Sequence, residues 1–222
     1  MKTPFSPLIA SGACVAAILC GPRTTLADTT TLATNNATVQ PGGPRGGDNG
    51  KLFFNMEGSS NDVFASFGVV DFQLPDGSTF NPGDVLSITL TQANASFTQN
   101  GMLAFYVSTD TTTDIEPDTS PLAFDPTDVP TGLASQLDTK YLLGCGTFTQ
   151  AADGTMDTFS FTPTDDALTY LINEISTTGY IRMIVAPFDP TVAATYAGFS
   201  NTEFQGPALT LTPASNGSGS SR

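Results

Sequence analysis

The chain contains no histidine and no tryptophan, which limits its chemistry before any motif is considered. Without imidazole there is no Ser-His-Asp or Cys-His nucleophile, no histidine metal site, and no side chain whose ordinary pKa lies near neutrality. Carboxylates remain: 21 Asp and Glu against 7 Lys and Arg, a formal charge of −14. A pair of them can hydrolyse a glycosidic bond only when facing across a cleft at roughly 5–9.5 Å. No spacing in the chain singles out such a pair, so a non-catalytic protein is expected. Carboxylates also hold hard cations, which take about six to eight oxygens from acids, carbonyls and water. Residues 110–136 supply these most densely, with Asp114, Glu116, Asp118, Asp125 and Asp128 set among Pro117, Pro121, Pro126 and Pro130. These five acids are the candidate calcium ligands, although no Asp-x-Asp-x-Asp-Gly run accompanies them.

Sugar recognition is the other chemistry the composition allows, because aromatic faces stack on pyranose rings while amides and carboxylates bond their hydroxyls. With tryptophan absent, the platforms are sought among Tyr106, Tyr141, Tyr170, Tyr180 and Tyr196. Tyr106 and Tyr180 fall opposite the apolar positions of their segments and are expected to face outward, with Tyr196 as a third candidate. The acidic balance disfavours nucleic acid and anionic lipid, since phosphate binding depends on Lys and Arg displacing counterions. The glycine-rich run at residues 42–50 lacks the Gly-Lys-Ser/Thr ending of a phosphate cradle and reads as a turn leading into a strand.

These groups need a scaffold, and the chain begins with a segment that is not part of one. Residues 1–27 carry an early Lys2, an apolar stretch at residues 8–19 and the small-residue ending Thr25-Leu26-Ala27, the pattern of a secretory signal peptide. That stretch is well short of the roughly 20 residues a spanning helix needs, so export without membrane insertion is expected. Cys14 and Cys20 fall in this leader, leaving Cys145 alone in the exported portion, where no internal disulfide can form and stability must come from a packed core. Cys145 itself, between Gly144 and Gly146, is expected to be a small buried residue.

Beyond the leader, residues 28–48 read as an extended arm and loop, and residues 49–212 as one domain. There the hydrophobic period is two: Val70, Phe72 and Leu74; Leu86, Ile88 and Leu90; Leu103, Phe105 and Val107. Pro75-Asp76-Gly77, Asn81-Pro82-Gly83-Asp84 and Asn100-Gly101 mark turns between them. Further strands are expected at 141–149, 157–162, 180–186, 195–200 and 208–212. Eight or more short strands without disulfides predict an all-β, jelly-roll-like antiparallel β-sandwich. One helix interrupts it at about residues 163–177, with Thr162 as cap, Pro163 at the first position, Asp165 completing the cap and Gly179 as terminator. Residues 213–222 have the composition of a flexible tail.

The order of pieces resembles the secreted jelly-roll modules called DNRLRE-type domains, which are related to carbohydrate-binding modules. The likeness rests on Asp48-Asn49-Gly50-Lys51-Leu52 ahead of a strand, on Phe67-Gly68-Val69-Val70-Asp71-Phe72-Gln73-Leu74-Pro75 as a first long core strand, and on the strand, helix, Gly and strand unit at residues 157–184. Phe199-Ser200-Asn201-Thr202-Glu203, with Gly206-Pro207-Ala208-Leu209-Thr210-Leu211, is similar to the closing turn and last strand. The Asp-Asn-Arg-Leu-Arg-Glu string that names the family is absent. The resemblance implies that Glu203 is a loop-organising carboxylate and not a catalyst; with Tyr106, Tyr180 and Tyr196 it completes the ligand-binding candidates. The expected partner is an extracellular or cell-envelope polysaccharide. The alternative is a self-associating subunit of a matrix, sheath or filament, in which the arm at residues 28–48 would pair with a sheet edge on a neighbour.

Overall fold

The computed structural model describes residues 27–215, other than 130, 134–136, 138 and 139. The expected leader lies outside these residues apart from Ala27, as does the tail from residue 216. Eleven strands form the fold: β1 (Thr29–Gln40), β2 (Gly43–Pro44), β3 (Phe53–Glu57), β4 (Phe67–Gln73), β5 (Val85–Thr91), β6 (Gly101–Ser108), β7 (Lys140–Phe148), β8 (Met156–Phe161), β9 (Tyr180–Pro187), β10 (Ala193–Ala197) and β11 (Ala208–Thr212). A short helix, α1 (Gly47–Leu52), precedes β3, and the longer α2 (Asp165–Thr177) precedes β9. The strands pair in the order β7-β6-β9-β4-β1-β11-β5-β8, all antiparallel, with β3 and β10 as a separate pair. This is the all-β sandwich expected from the alternation.

The arm expected at residues 28–48 is instead the strand that joins the two sheets. Thr29 to Leu32 pair with β11, Ala33 to Val39 pair with β4, and the register shifts between Ala33 and Asn35 as the strand passes from one sheet to the other. Its far half is fully buried: Asn36, Ala37, Thr38 and Val39 are each 0% exposed. One half of the strand is thus paired with β11 and the other with β4, so it belongs to the sheets of its own chain instead of forming a free arm.

The main core lies between the sheets, with Val70 and Phe72 of β4, Leu86, Ile88 and Leu90 of β5, Leu103, Phe105 and Val107 of β6, and Ile181, Met183 and Val185 of β9. The sandwich closes towards a barrel where β7 meets β8. A Cβ on Gly146 would lie 2.3 Å from the Phe159 ring and one on Gly144 3.0 Å from Phe161, so the two glycines let these rings stack close to the β7 backbone, against Phe105. Cys145, between them, consequently points outward and is exposed, not buried as its flanking glycines suggest.

Helix α2 begins two residues later than the sequence suggests. Thr164 occupies the N-cap without making a capping hydrogen bond, its hydroxyl donating instead to Asp165 Oδ2 at 3.0 Å. Ala167, Leu171 and Ile175 form the buried stripe, and Gly179, at φ 65°, turns the chain into β9. Leu171 and Ile175 reach the main core, while the Tyr170 hydroxyl donates to the Ser108 carbonyl at 3.0 Å.

A second core lies on the outer face of the β4–β9 sheet. Phe67 and Val69 of β4 and Ile184 and Ala186 of β9 face away from the sandwich and are covered by Ile115, Leu122, Phe124, Leu133 and Leu137 from the long loop after β6. The loop is tied down by a buried ion pair: Arg182 Nε and Nη2 donate to Asp71 Oδ1 and Oδ2 at 2.8 and 2.9 Å, while Arg182 Nη1 donates to the carbonyls of Asp110 and Thr113 at 2.8 and 2.9 Å. Two central strands are therefore buried on both faces, which explains their nearly continuous apolar runs.

Candidate functional site

The loop acids proposed as calcium ligands are engaged separately, three of them in local turns and two in contacts with α1. Asp114 accepts from the Glu116 amide at 2.8 Å and from the Thr119 hydroxyl, Asp125 from the Thr127 amide and hydroxyl at 2.7 and 2.6 Å, and Asp128 from the Thr131 hydroxyl at 2.7 Å. Glu116 pairs with Lys51, and Asp118 accepts from the Gly47 amide at 2.7 Å, so both tie the loop to α1. Among the described residues, no three acidic or cysteine side chains gather to hold an ion. The carboxylates were drawn together in sequence by turn chemistry, which favours Asp followed by Thr.

The tyrosine candidates do not converge on one patch. Tyr196 is fully buried in the main core, where it packs edge-on against Phe148 and its hydroxyl donates to Asp157 at 3.0 Å. Burial, with Asp157 beside it, holds its phenol far above the usual range, so it offers no face to a ligand. Tyr180 and Tyr106 do face away from the sandwich interior, as expected, but onto the surface that the long loop covers. The Tyr180 hydroxyl accepts from Arg182 Nη2 at 2.9 Å, and Tyr106 packs against the second core. Glu203 is exposed in the turn before β11, but the organiser of that turn is Asn201. Its Oδ1 accepts from the amides of Glu203 and Phe204, both at 2.9 Å, and its Nδ2 donates to the Leu52 carbonyl at 2.9 Å.

Open aromatic surface lies elsewhere, at the β3–β10 pair. Alternation along β3 sends Phe54 and Met56 into the core and leaves Phe53, Asn55 and Glu57 on the other face, opposite Thr195 of β10. Over this face lies a groove of about 450 Å³ with Phe64 and Phe97 among its walls. The two phenyl rings are 61% and 73% exposed, in a chain where Phe54, Phe67, Phe72, Phe105 and Phe148 are wholly buried. Leaving a phenyl side chain in water forgoes roughly 1.5–3 kcal/mol of burial, so two beside one groove are informative in a way that single exposed residues are not.

The floor between them is polar and ordered. Asn55 Nδ2 donates to Thr195 Oγ1 at 2.9 Å and to Glu57 Oε1 at 3.3 Å, and Asn55 Oδ1 accepts from Arg45 Nη1 at 3.2 Å. Arg45 also lies over the Phe53 ring, 5.9 Å from its centroid. Among the described residues Asn55 Oδ1 is the guanidinium's one hydrogen-bond acceptor, which leaves its other N–H groups for a ligand. Burial pushes the Glu57 carboxyl above the ordinary glutamate range, against the pull of the Asn55 hydrogen bond and of the Arg45 charge.

Both rims are held in place. Phe64 ends a turn in which Asp62 adopts φ 53°, ψ −115°, and the Asn61 side chain donates to the carbonyls of Gly58 and Val192 at 2.9 and 3.1 Å. Phe97 ends a turn capped by Asn94 in the left-handed region at φ 57°, ψ 43°, with the Ala95 amide donating to Asp153 Oδ1 at 2.7 Å. Each exposed ring thus follows, within three residues, a non-glycine residue in a sparsely populated conformation, a form of strain that clusters at ligand clamps. Phe64 and Phe97 do not stand out in the sequence, because phenylalanine normally goes inside. Their signal was position: each is an apolar residue in a short Asn- or Asp-led turn, outside any alternating run.

No family model matches this chain, and no curated protein matches it.

Proposed function

We propose that the protein is a secreted, non-catalytic β-sandwich module that binds extracellular or cell-envelope polysaccharide in the groove over β3 and β10. One observation carries the reading: two exposed phenyl rings, each on a rigid strained turn, beside a floor of amide, hydroxyl, carboxylate and guanidinium groups. The C–H faces of a pyranose ring stack on aromatic carbon, and its equatorial hydroxyls need donors and acceptors in fixed positions; the half-buried Arg45 and Glu57 supply one of each, held in place by the buried Asn55 and its partner Thr195. The rims are ordered before any ligand arrives, which reduces the entropic cost of binding. The leader accounts for export, and among the described residues no helix is long and apolar enough to cross a membrane. The strand expected to mediate self-association is occupied by β4 and β11 of its own chain, which favours the binding reading over assembly through that arm.

The test is retention of the mature protein on a panel of insoluble polysaccharides, alongside incubation with chromogenic glycosides. Retention on at least one polymer with no glycoside turned over is the expected result. Retention on none removes the binding reading, and turnover abolished by one Glu or Asp substitution removes the non-catalytic one.

A further inference from the structure

Resting on that reading, we infer that the groove accommodates an internal stretch of an uncharged polysaccharide chain, with a second subsite beyond Asn94 built from Phe204 and Glu203. A further cavity of about 320 Å³ adjoins the groove, and Asn94 lines both. Phe53 lines this second cavity while its ring carries Arg45, which lines the first. The two therefore follow one another along the outward face of β3, where Phe53, Asn55 and Glu57 together span about 13 Å at roughly 3.3 Å per residue. That is longer than one pyranose ring, so a monosaccharide fills only part of it.

The second cavity has its own aromatic wall and its own ordered turn. Phe204 sits where its amide and that of Glu203 converge on Asn201, which is itself anchored to the Leu52 carbonyl. Gly154, at φ 88°, passes close enough that a Cβ there would lie 3.2 Å from the Phe204 ring, so the ring is flanked on that side by backbone. The subsite thus repeats the chemistry of the first: an aromatic ring beside amide and carboxylate groups.

Charge selects the class of chain. Glu57, Asp153 and Glu203 line the two cavities, against Arg45 as their one cationic lining residue. A polymer bearing a carboxylate or sulfate on each sugar would place repeated negative charge against three acids in a protein already at −14. An uncharged chain meets the same acids as hydrogen-bond acceptors.

The experiment measures affinity by calorimetry for size-fractionated oligosaccharides prepared from whichever neutral polymer retains the protein, with polygalacturonate oligomers in parallel. Affinity is expected to rise at least about tenfold from disaccharide to the longest oligomer, which corresponds to about 1.4 kcal/mol. In Phe204→Ala the long oligomers fall to the short-oligomer affinity while the short ones are unchanged; in Phe97→Ala both fall. Circular dichroism and melting temperature confirm that each variant is folded. Length-independent affinity, an unaffected Phe204→Ala, or tighter binding of polygalacturonate overturns the inference while leaving the binding reading intact. Failure to bind any oligosaccharide or polymer overturns both.

Discussion

Replacing Arg182 with Met should release the long loop from the sheet it covers. The guanidinium is 3% exposed and its partner Asp71 8%, and the pair is bidentate, so the variant leaves a carboxylate buried without its counter-charge. Breaking a buried pair from one side costs about 3–5 kcal/mol. For a domain of this size each kcal/mol moves the melting temperature by roughly 2–4 °C, giving an expected fall of about 6–20 °C. Two further losses are local, because the carbonyls of Asp110 and Thr113 lose the donor that fastens the loop. Limited proteolysis should therefore cut within residues 109–139 of the variant at temperatures where the wild type is intact. The double variant Asp71→Leu/Arg182→Met removes the orphaned charge, so it should regain most of the thermal stability. It should remain protease-sensitive in the loop, since the two carbonyls still lack their donor. A fall below about 2 °C in the single variant, or an unchanged cleavage pattern, would refute the role assigned to Arg182.

Two other perturbations probe the supporting structure. Asp110 is pushed upward by burial, but hydrogen bonds from Thr113 and Thr112 outweigh this and hold it at about 2, so its folded value lies below its unfolded one. The stability it contributes is present above the unfolded value near 4 and is lost as pH falls towards 2. Asp110→Asn should therefore cost up to about 1 kcal/mol at neutral pH after solvent screening, and its deficit relative to wild type should vanish over that acid window in urea titrations. Gly198 joins β10 to the groove's far end, and a Cβ there would lie 2.2 Å from the Lys51 carbonyl oxygen and 2.9 Å from Asn36 Oδ1. Gly198→Ala should cost about 1–3 kcal/mol, read by denaturant midpoint, because backbone has to move to make room.

Most of the scaffold was legible because one face of each strand is buried and the other is not, so Val70 and Phe72, Leu86 and Ile88, and Leu103 and Phe105 announce themselves by alternation. Strand β1 did not, because its interior is built from Thr and Asn instead of large apolar groups. Asn36 is buried only because Gly50, Phe53 and Phe199 supply backbone partners distant in sequence. The second core was hidden for a related reason: Ile115, Leu122 and Phe124 are spaced irregularly in a proline-rich loop, and nothing local says that they share one sheet face. The binding candidates missed by type. Tyrosine was sought as the exposed aromatic, whereas the open rings are Phe64 and Phe97, set outward by backbone conformations that a one-dimensional pattern does not carry. Glu203 is expected to organise its loop, but that role falls to Asn201, whose side chain accepts from the Glu203 and Phe204 amides, while Glu203 lines the adjoining cavity.

Whether the two exposed rings of the β3–β10 groove grip a polysaccharide is decided by affinity gel electrophoresis of three proteins: wild type, Phe64→Ala/Phe97→Ala, and Phe188→Ala, which removes an exposed phenyl ring that is not among the groove's lining residues. The wild type and Phe188→Ala should be retarded alike by the retained polymer, and the double variant should bind at least about tenfold more weakly at unchanged melting temperature. Equal retardation of all three, or greater loss in Phe188→Ala than in the double variant, would contradict the account.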